Sequence, residues 1–174
     1  MESEDGRWVL VFNGDVLSGL DIAGLVAHHQ ETDSDVTLYL TRVEDPRAYG
    51  LVPTDADGRV LEFLEKPTTE AEIVTDQINA GCYVFRRSVI DSIPAGEKVS
   101  VERQTFPALL ASGARVSGVV DDGYWLDLGT PLSFVQGSRD LVLGLAPSPA
   151  VPQTGASLVL AGARVAATAT LVGG

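Results

Sequence analysis

The 174-residue sequence predicts an α/β fold, and three kinds of pattern support this prediction. Short runs of apolar and β-branched residues, which are typical of strands, alternate with segments of helical periodicity. Clusters of Gly, Pro, Asn and Asp separate these segments. A six-residue period replaces both patterns after a proline-rich stretch near the C-terminus. We therefore expect an α/β domain, a linker and the start of a second domain.

The first predicted strand, Trp8–Phe12, consists of five consecutive apolar residues. Such a run is typical of a strand that is buried on both faces of an α/β sheet. Asn13-Gly14-Asp15 follows it directly. Because ligands bind open α/β sheets at the carboxyl ends of strands, Asp15 is the acid near the N-terminus best placed for chemistry. The alternative is that Asp15 only forms a turn or caps the next helix.

The next segments read as a helix, a strand and a hairpin. Asp21 is suited to cap a helix that contains His28 and His29, and these histidines have no partner at metal-ligand spacing. We therefore interpret both as ordinary helix residues. The β-branched segment 35–43 predicts a strand, and the turn residues 55–58 predict a hairpin between 51–54 and 59–63.

The middle of the chain continues the alternation. Residues 78–85 predict a strand in which Cys82 is a small core residue. Ser88 is expected to cap a short helix, and Ser100 a longer one that reaches about residue 111. Pro107 predicts a break in that longer helix.

The last third predicts a strand, a helix, a linker and a repeat. Residues 115–120 read as a strand, Trp125 as a packing residue, and Pro131 as the start of a helix that reaches about Leu145. Residues 1–145 would then form the α/β domain, and the proline-rich segment 146–156 a linker. Small and aliphatic residues recur every six positions in 157–174, which predicts the start of a β-helix.

Composition excludes several classes of function. The net charge of −12 and the pI of about 4.4 argue against binding to nucleic acid or to an anionic membrane surface. One cysteine excludes an internal disulfide and suits a reducing compartment. The acidic N-terminus is unlike a secretory leader, and no apolar run is long enough to span a membrane. We expect a cytoplasmic protein.

Four motifs in one order resemble those of the sugar nucleotidyltransferases. The resemblance covers nearly the whole chain and is strengthened by the hexapeptide pattern after the linker; segments 75–82 and 100–103 are most similar to the mannose-1-phosphate guanylyltransferase branch. It implies a partial Rossmann-like sheet with helices on both faces, followed by the start of a left-handed hexapeptide β-helix. The motifs are Asn13-Gly14-Asp15, Phe63-Leu64-Glu65-Lys66-Pro67, Asn79-Ala80-Gly81 and Tyr124-Trp125-Leu126-Asp127-Leu128-Gly129-Thr130-Pro131.

The resemblance implies transfer of a nucleotidyl group from a nucleoside triphosphate, GTP in this branch, to a sugar-1-phosphate, with release of pyrophosphate. Asp15 and Asp127 match the two aspartates that hold Mg²⁺ in the family, and Lys66 matches its sugar-phosphate lysine. Mg²⁺ accepts one or two carboxylates together with phosphate oxygens, so the pair suits that ion. The alternatives are that Asp127 caps the helix after Gly129 and that Lys66 forms a surface ion pair with Glu65.

Sugar recognition falls, by the same resemblance, to residues that can bind hydroxyl groups or admit a pyranose close to the backbone. Glu102 is the weakest match, because an acid early in a helix is also favoured by the helix dipole. The substrate-binding residues are Asn13, Gly14, Tyr49, Gly50, Glu65, Asn79, Ala80, Gly81 and Glu102.

The glycine-rich nucleotide loop that the family carries at its N-terminus has no match in this sequence. Three hypotheses follow. The chain could be part of a mannose-1-phosphate guanylyltransferase, a non-catalytic sugar-phosphate-binding or regulatory subunit that pairs with a complete homologue, or a glucose-1-phosphate nucleotidyltransferase. We also expect an exposed sheet edge, which predicts a marginally stable or self-associating chain. A homo-oligomer could form through that edge and the β-helix.

Overall fold

Residues 6–150, 162 and 164–170 are described by the structure, a computed structural model. The chain divides into two units, one formed by Met1–Gly14 and Asp21–Asp122 and the other by Asp15–Leu20 and Gly123–Gly174. The first unit contains a six-stranded sheet and the second a two-stranded one. The prediction of an α/β fold with a central sheet is therefore confirmed.

The first unit is built around the long strand β6, Gln77–Arg86. Strand β3 (Val36–Arg42) pairs with it antiparallel on one side and is followed, in parallel, by β7 (Val116–Val120). The other side of β6 pairs with β1 (Trp8–Phe12) and, through Ile78, with β4 (Gly50–Leu51), whose own partner is β5 (Leu64–Glu65). The sheet is therefore mixed.

The prediction that β1 is buried on both faces is wrong. Of its residues only Leu10 is buried, and the Phe12 side chain is 48% exposed. Among the described residues β1 pairs only with β6, so it forms a sheet edge that solvent reaches. The strands buried on both faces are β3 and β6.

Helices pack on both faces of this sheet. Helix α1 (Ile22–Glu31) begins where Asp21 accepts the Gly24 N–H at 3.0 Å, so the predicted cap is confirmed. On the other face Phe106 of α3 (Phe106–Ala111) packs against Tyr83 and Phe85 at centroid distances of 5.3 and 6.0 Å.

Two helix-start predictions have different outcomes. Ser100 caps a π-helical turn, Val101–Thr105, that leads into α3, and Pro107 lies in the first turn of α3, so the expected break is present. Ser88 is not a cap, because α2 (Arg87–Asp91) begins one residue before it, after Arg86. The side chain of Ser88 makes no capping hydrogen bond.

The predicted hairpin is present, and Cys82 is a core residue as expected. The Asp55 N–H donates to the Arg59 carbonyl at 2.9 Å, and Thr54 and Val60 form a β-bridge. The turn closes through Gly58, whose φ is +78°. Burial raises the pKa of the Cys82 thiol to about 12, which keeps it protonated and unreactive at neutral pH.

The second unit contains β2 (Val16–Ser18), β8 (Trp125–Asp127) and α4 (Pro131–Leu143). Strand β2 was not predicted, because three residues are too few to establish a period. Thr130 is the N-cap of α4. The helix ends at Leu143, two residues before the predicted Leu145, and Gly144, with a φ of +72°, is its C-cap. The predicted linker beyond Ala150 and most of the hexapeptide pattern lie outside the described residues. Within residues 6–150, 162 and 164–170, no helix combines the length and hydropathy that a membrane span requires.

Candidate active site

The two predicted metal ligands, Asp15 and Asp127, both belong to the second unit. Strands β2 and β8 pair antiparallel with Val16 opposite Asp127, and the Leu128 N–H donates to the Asp15 carbonyl at 2.7 Å. The pairing brings the backbones of the two acids together from positions 112 residues apart (127 − 15). Asp15 lies in the turn before β2, so strand alternation does not fix the side to which its carboxylate points.

The carboxylates of this pair remain largely available to a ligand. Asp127 accepts the Gly129 N–H through Oδ1 at 2.7 Å, and its Oδ2 makes no hydrogen bond with the described residues. Asp15 is exposed and its carboxylate forms no hydrogen bond or ion pair in the described part of the chain. Asp127 does not cap α4, since that cap is the Thr130 hydroxyl, which accepts the Ser133 N–H at 3.1 Å.

This donor set fits Mg²⁺ bound together with a substrate. Mg²⁺ prefers hard oxygen ligands and often takes only one or two carboxylates, the rest being phosphate oxygens and water. Within the described ranges no group of three or more His, Cys, Asp or Glu side chains could hold a metal by itself. Asp15 and Asp127 would therefore hold the ion only if a phosphate completed its shell.

Gly129 is adapted to the turn that orients Asp127. A Cβ at position 129 would come within 2.8 Å of the Asp127 Oδ1 atom, closer than real Cβ contacts. The glycine therefore permits the hydrogen bond from its own N–H to that oxygen. Sequence reasoning recognised the motif but not this role.

A polar cluster in the first unit surrounds Asn79 of β6. The Asn79 Nδ2 donates to Tyr83 Oη and to Glu102 Oε1, both at 2.7 Å, and its Oδ1 accepts the Gly81 N–H at 3.2 Å. The reverse amide orientation would turn Nδ2 toward the Gly81 N–H and Oδ1 toward the carboxylate, so these two neighbours fix the orientation. Asn79 is only 8% exposed.

The Asn79-Ala80-Gly81 motif forms an irregularity in β6. Leu38 of β3 lies opposite Tyr83 and Leu40 opposite Asn79, so two extra residues of β6 bulge between these pairs. Gly81 has a φ of +81°, which disfavours other residues. Its carbonyl accepts the Asn13 N–H at 2.7 Å, and a Cβ at position 81 would lie 3.0 Å from the Asn13 side chain.

Glu102 reaches this cluster from the π-helical turn Val101–Thr105. π-Helical turns are rare in proteins, and those that occur are often found at functional sites. Burial raises the pKa of Glu102, the Glu65 charge raises it further, and the Asn79 hydrogen bond, Lys66 and Arg103 oppose that rise. Glu102 thus lies in an environment where a carboxylate can accept hydrogen bonds from sugar hydroxyls.

The remaining predicted residues of the first unit lie on β4, β5 and the turns next to them. Gly50 pairs with Glu65, and a Cβ at position 50 would lie 3.0 Å from Glu65 Oε2. Lys66 follows with a φ of +51° and donates its N–H to the Tyr49 carbonyl at 3.2 Å. No salt bridge joins Lys66 to Glu65 in the described part of the chain, and Lys66 is exposed.

The predicted residues are thus divided between the two units. The second unit brings the backbones of Asp15 and Asp127 close together. Gly14 is an exposed residue of the first unit, with open space where a Cβ would stand. Sequence reasoning missed Tyr83, whose apolar neighbours made it look like core. The first unit contains the other predicted residues: Asn13, Tyr49, Gly50, Glu65, Lys66, Asn79, Ala80, Gly81 and Glu102.

Known proteins are similar to this chain in sequence and in fold. The chain is 59% identical over 167 residues to a mannose-1-phosphate guanylyltransferase of Mycobacterium tuberculosis, covering 95% of this chain and 46% of that protein. It is 34% identical over 134 residues to the mannose-1-phosphate guanylyltransferase catalytic subunit beta of Dictyostelium discoideum, covering 76% and 36%. The chain therefore spans less than half the length of these relatives.

Solved structures agree with the fold. The crystal structure of HddC from Yersinia pseudotuberculosis matches with a TM-score of 0.61 and 26% identity, over 75% of this chain and 53% of that one. The same protein has been solved in complex with GMP-PN. The model of the nucleotidyl transferase family matches residues 1–142. Since that match covers most of the chain, this protein belongs to the nucleotidyl transferase family.

Proposed function

We propose that this chain supplies the sugar-1-phosphate and metal-binding residues of a mannose-1-phosphate guanylyltransferase. The observation that carries the proposal is the 59% identity, over 95% of the chain, to a relative of that name. In the reaction an oxygen of mannose-1-phosphate attacks the α-phosphorus of GTP. A new P–O bond forms, the bond between the α- and β-phosphates breaks, and GDP-mannose and pyrophosphate result.

The first unit would bind the sugar phosphate. Lys66 offers a compact cation to the phosphate, and Glu65 and Glu102 offer carboxylate oxygens to sugar hydroxyls. Gly50 and Gly81, which lack side chains, would leave room for the side chains of Glu65 and Asn13, which lie next to the positions where a Cβ would stand. Correct positioning of the attacking oxygen is the main contribution that protein residues make to phosphoryl transfer.

The second unit would hold Mg²⁺ through Asp15 and Asp127. Bound Mg²⁺ neutralises phosphate charge and orients the oxygens of the reacting groups. The Gly129 N–H, by binding Asp127 Oδ1, would leave Oδ2 directed to the ion. We also propose that the protein works in the cytoplasm, as a reducing compartment suits its single cysteine.

A release assay tests the proposal. Pyrophosphate would be measured with GTP, mannose-1-phosphate and Mg²⁺ for the 174-residue protein and for Asp127→Asn. Asp122→Asn, which changes an exposed aspartate five residues before Asp127, is the control. Release that requires mannose-1-phosphate, persists in the control and falls at least 100-fold in Asp127→Asn would support the proposal.

Other outcomes distinguish the alternatives. Equal release by Asp127→Asn would contradict the metal role of that residue. Saturable binding of mannose-1-phosphate without release is expected both of a part of the enzyme that lacks the glycine-rich loop and of a non-catalytic sugar-phosphate-binding subunit. Release on adding a segment that carries that loop would favour the first, and continued absence of release would favour the second. Preference for glucose-1-phosphate in the same assay would favour a glucose-1-phosphate nucleotidyltransferase. If the protein shows no binding of mannose-1-phosphate and no release of pyrophosphate, the proposal is overturned.

A further inference from the structure

The Asn79 side chain has almost no hydrogen-bonding capacity left for a substrate. A primary amide has two N–H donors and one oxygen with two lone pairs. Tyr83 Oη and Glu102 Oε1 accept both donors, and the Gly81 N–H occupies one lone pair of Oδ1. Asn79 therefore acts mainly on its protein neighbours.

The neighbour that remains available is Glu102. Its Oε1 is held by Asn79, whereas its Oε2 makes no hydrogen bond with the described residues. Glu102 is half-buried, and a carboxylate oxygen that has no protein partner, next to an oxygen that is held in place, is a strong, oriented acceptor for hydroxyl groups. The direction of Glu102 thus depends on the Asn79 amide plane.

Gly81 and Glu102 determine which way round the Asn79 amide lies, and Tyr83 holds it as well by accepting a hydrogen bond from Nδ2 at 2.7 Å. The Tyr83 ring packs between aromatic neighbours, with centroids 5.3 Å from Phe106 and 5.8 Å from Phe85, and Tyr83 is 4% exposed. The packed ring gives the hydroxyl a fixed position. Tyr83 Oη accepts a hydrogen bond from Asn79, and the Asn13 side chain also interacts with this hydroxyl.

We propose that Tyr83 is a positioning residue for sugar recognition, whose hydroxyl orients Asn79 and thereby aims the Glu102 carboxylate at a sugar hydroxyl. This inference rests on the proposed function, since it assumes a sugar-1-phosphate as the ligand. Tyr83 itself need not touch that ligand. The chemical group that the arrangement selects is a hydroxyl donor beside the phosphate.

The test compares Tyr83→Phe with Tyr39→Phe in the 174-residue protein. Both changes remove one hydroxyl from a buried tyrosine, but Tyr39 lies on the other sheet face, near Asp121. Affinities for mannose-1-phosphate and for inorganic phosphate would be measured by calorimetry. The pKa of Glu102 would be followed by carbon NMR of labelled glutamate, with Glu102→Gln to assign its signal.

The expected result for Tyr83→Phe is a three- to tenfold loss of affinity for mannose-1-phosphate, about the value of one hydrogen bond, with unchanged affinity for phosphate. Because the Asn79 hydrogen bond lowers the Glu102 pKa, that pKa should rise when Asn79 is released. Tyr39→Phe should change neither property. A general packing defect would weaken the binding of both ligands alike.

Three results would overturn the inference: unchanged affinity with an unchanged Glu102 pKa, equal loss for both ligands, or equal effects of the two tyrosine variants. The proposed function can fail separately. If the unmodified protein does not bind mannose-1-phosphate, that function is contradicted. The Glu102 pKa in Tyr83→Phe would still report whether Tyr83 positions the carboxylate.

Discussion

Lys66 combines a predicted phosphate-binding role with an unfavourable backbone. Its φ of +51° is in the left-handed region, which costs a residue other than glycine about 1–2 kcal/mol, and Pro67 follows it. The hydrogen bond from its N–H to Tyr49 and the pairing of Glu65 with Gly50 hold this conformation. The cost is consistent with selection for the lysine side chain rather than for stability.

We expect Lys66→Gly to be more stable than Lys66→Ala. Glycine adopts positive φ without the steric cost that alanine retains, so the free energies of unfolding should differ by about 0.5–1 kcal/mol. Urea unfolding at neutral pH measures the difference. Equal stability of the two variants would mean that position 66 is not strained.

The pH dependence of stability should depend on His29. Its Nδ1 lies 2.9 Å from Thr37 Oγ1 in the interior, and burial, followed by the Arg86 charge, lowers its pKa from 6.5 to about 4. Because the His29 pKa is lower in the folded state than in the unfolded state, the stability that neutral His29 provides is fully present above pH 6.5. It is lost as the pH falls toward 4 and the unfolded state takes up the proton. The loss should be about 3 kcal/mol at most.

Unfolding free energies from pH 7 to pH 4 test this expectation. In His29→Asn the decrease over that range should be smaller than in the unmodified protein, whereas His28→Asn, which changes the preceding and less buried histidine, should retain it. Parallel pH profiles for all three proteins would show that His29 does not carry the effect.

At the scale of elements, the bulge in β6 organises the polar cluster around Asn79, where we propose that the sugar binds. Gly81 allows the bulge through its positive φ, and its missing Cβ leaves room for the Asn13 side chain. Gly96 provides a matched comparison, because its φ is +80° but nothing lies within 4 Å of the position of its Cβ. The two glycines separate backbone strain from side-chain crowding.

Gly81→Ala should destabilise the protein more than Gly96→Ala. Both variants carry the cost of an alanine at positive φ, about 1–2 kcal/mol, but only the first also displaces Asn13. Thermal unfolding gives the stabilities, and only Gly81→Ala should weaken mannose-1-phosphate binding. If the two variants are equally destabilised and bind mannose-1-phosphate equally well, the bulge does not support the site.

The sequence predicted elements whose signals are local. Asp21 and Ser100 were correctly identified as caps because a capping side chain acts within three residues. Strand β2, the bulge at Gly81 and the π-helical turn at Glu102 were not predicted, since each depends on pairing with residues distant in the sequence. Resemblance supplied the motif residues, but the link from Tyr83 through Asn79 to Glu102 required the structure.

At the scale of the whole molecule, the exposed edge of the first sheet bears on solubility. The described part of the chain offers β1 no strand partner except β6, and Phe12 at its end is 48% exposed. Edge strands of this kind favour pairing between copies unless a charge interrupts them. The net charge of −12 opposes such association, most strongly at low salt.

We expect the protein to associate as concentration and salt increase. Sedimentation should then give masses above 18.3 kDa, and Phe12→Lys, which adds a charge to the edge, should return the mass toward that of one chain. A monodisperse monomer that melts cooperatively under all these conditions would contradict the prediction.

Calorimetric titration with mannose-1-phosphate tests the central claim most directly, because the claim is that this chain carries a sugar-1-phosphate site. The comparison uses the unmodified protein, Lys66→Ala, and Lys98→Ala, which removes the only other lysine in the sequence. We predict saturable binding that weakens at least tenfold in Lys66→Ala and is unchanged in Lys98→Ala. Absence of binding, or equal affinity of all three proteins, would contradict the account.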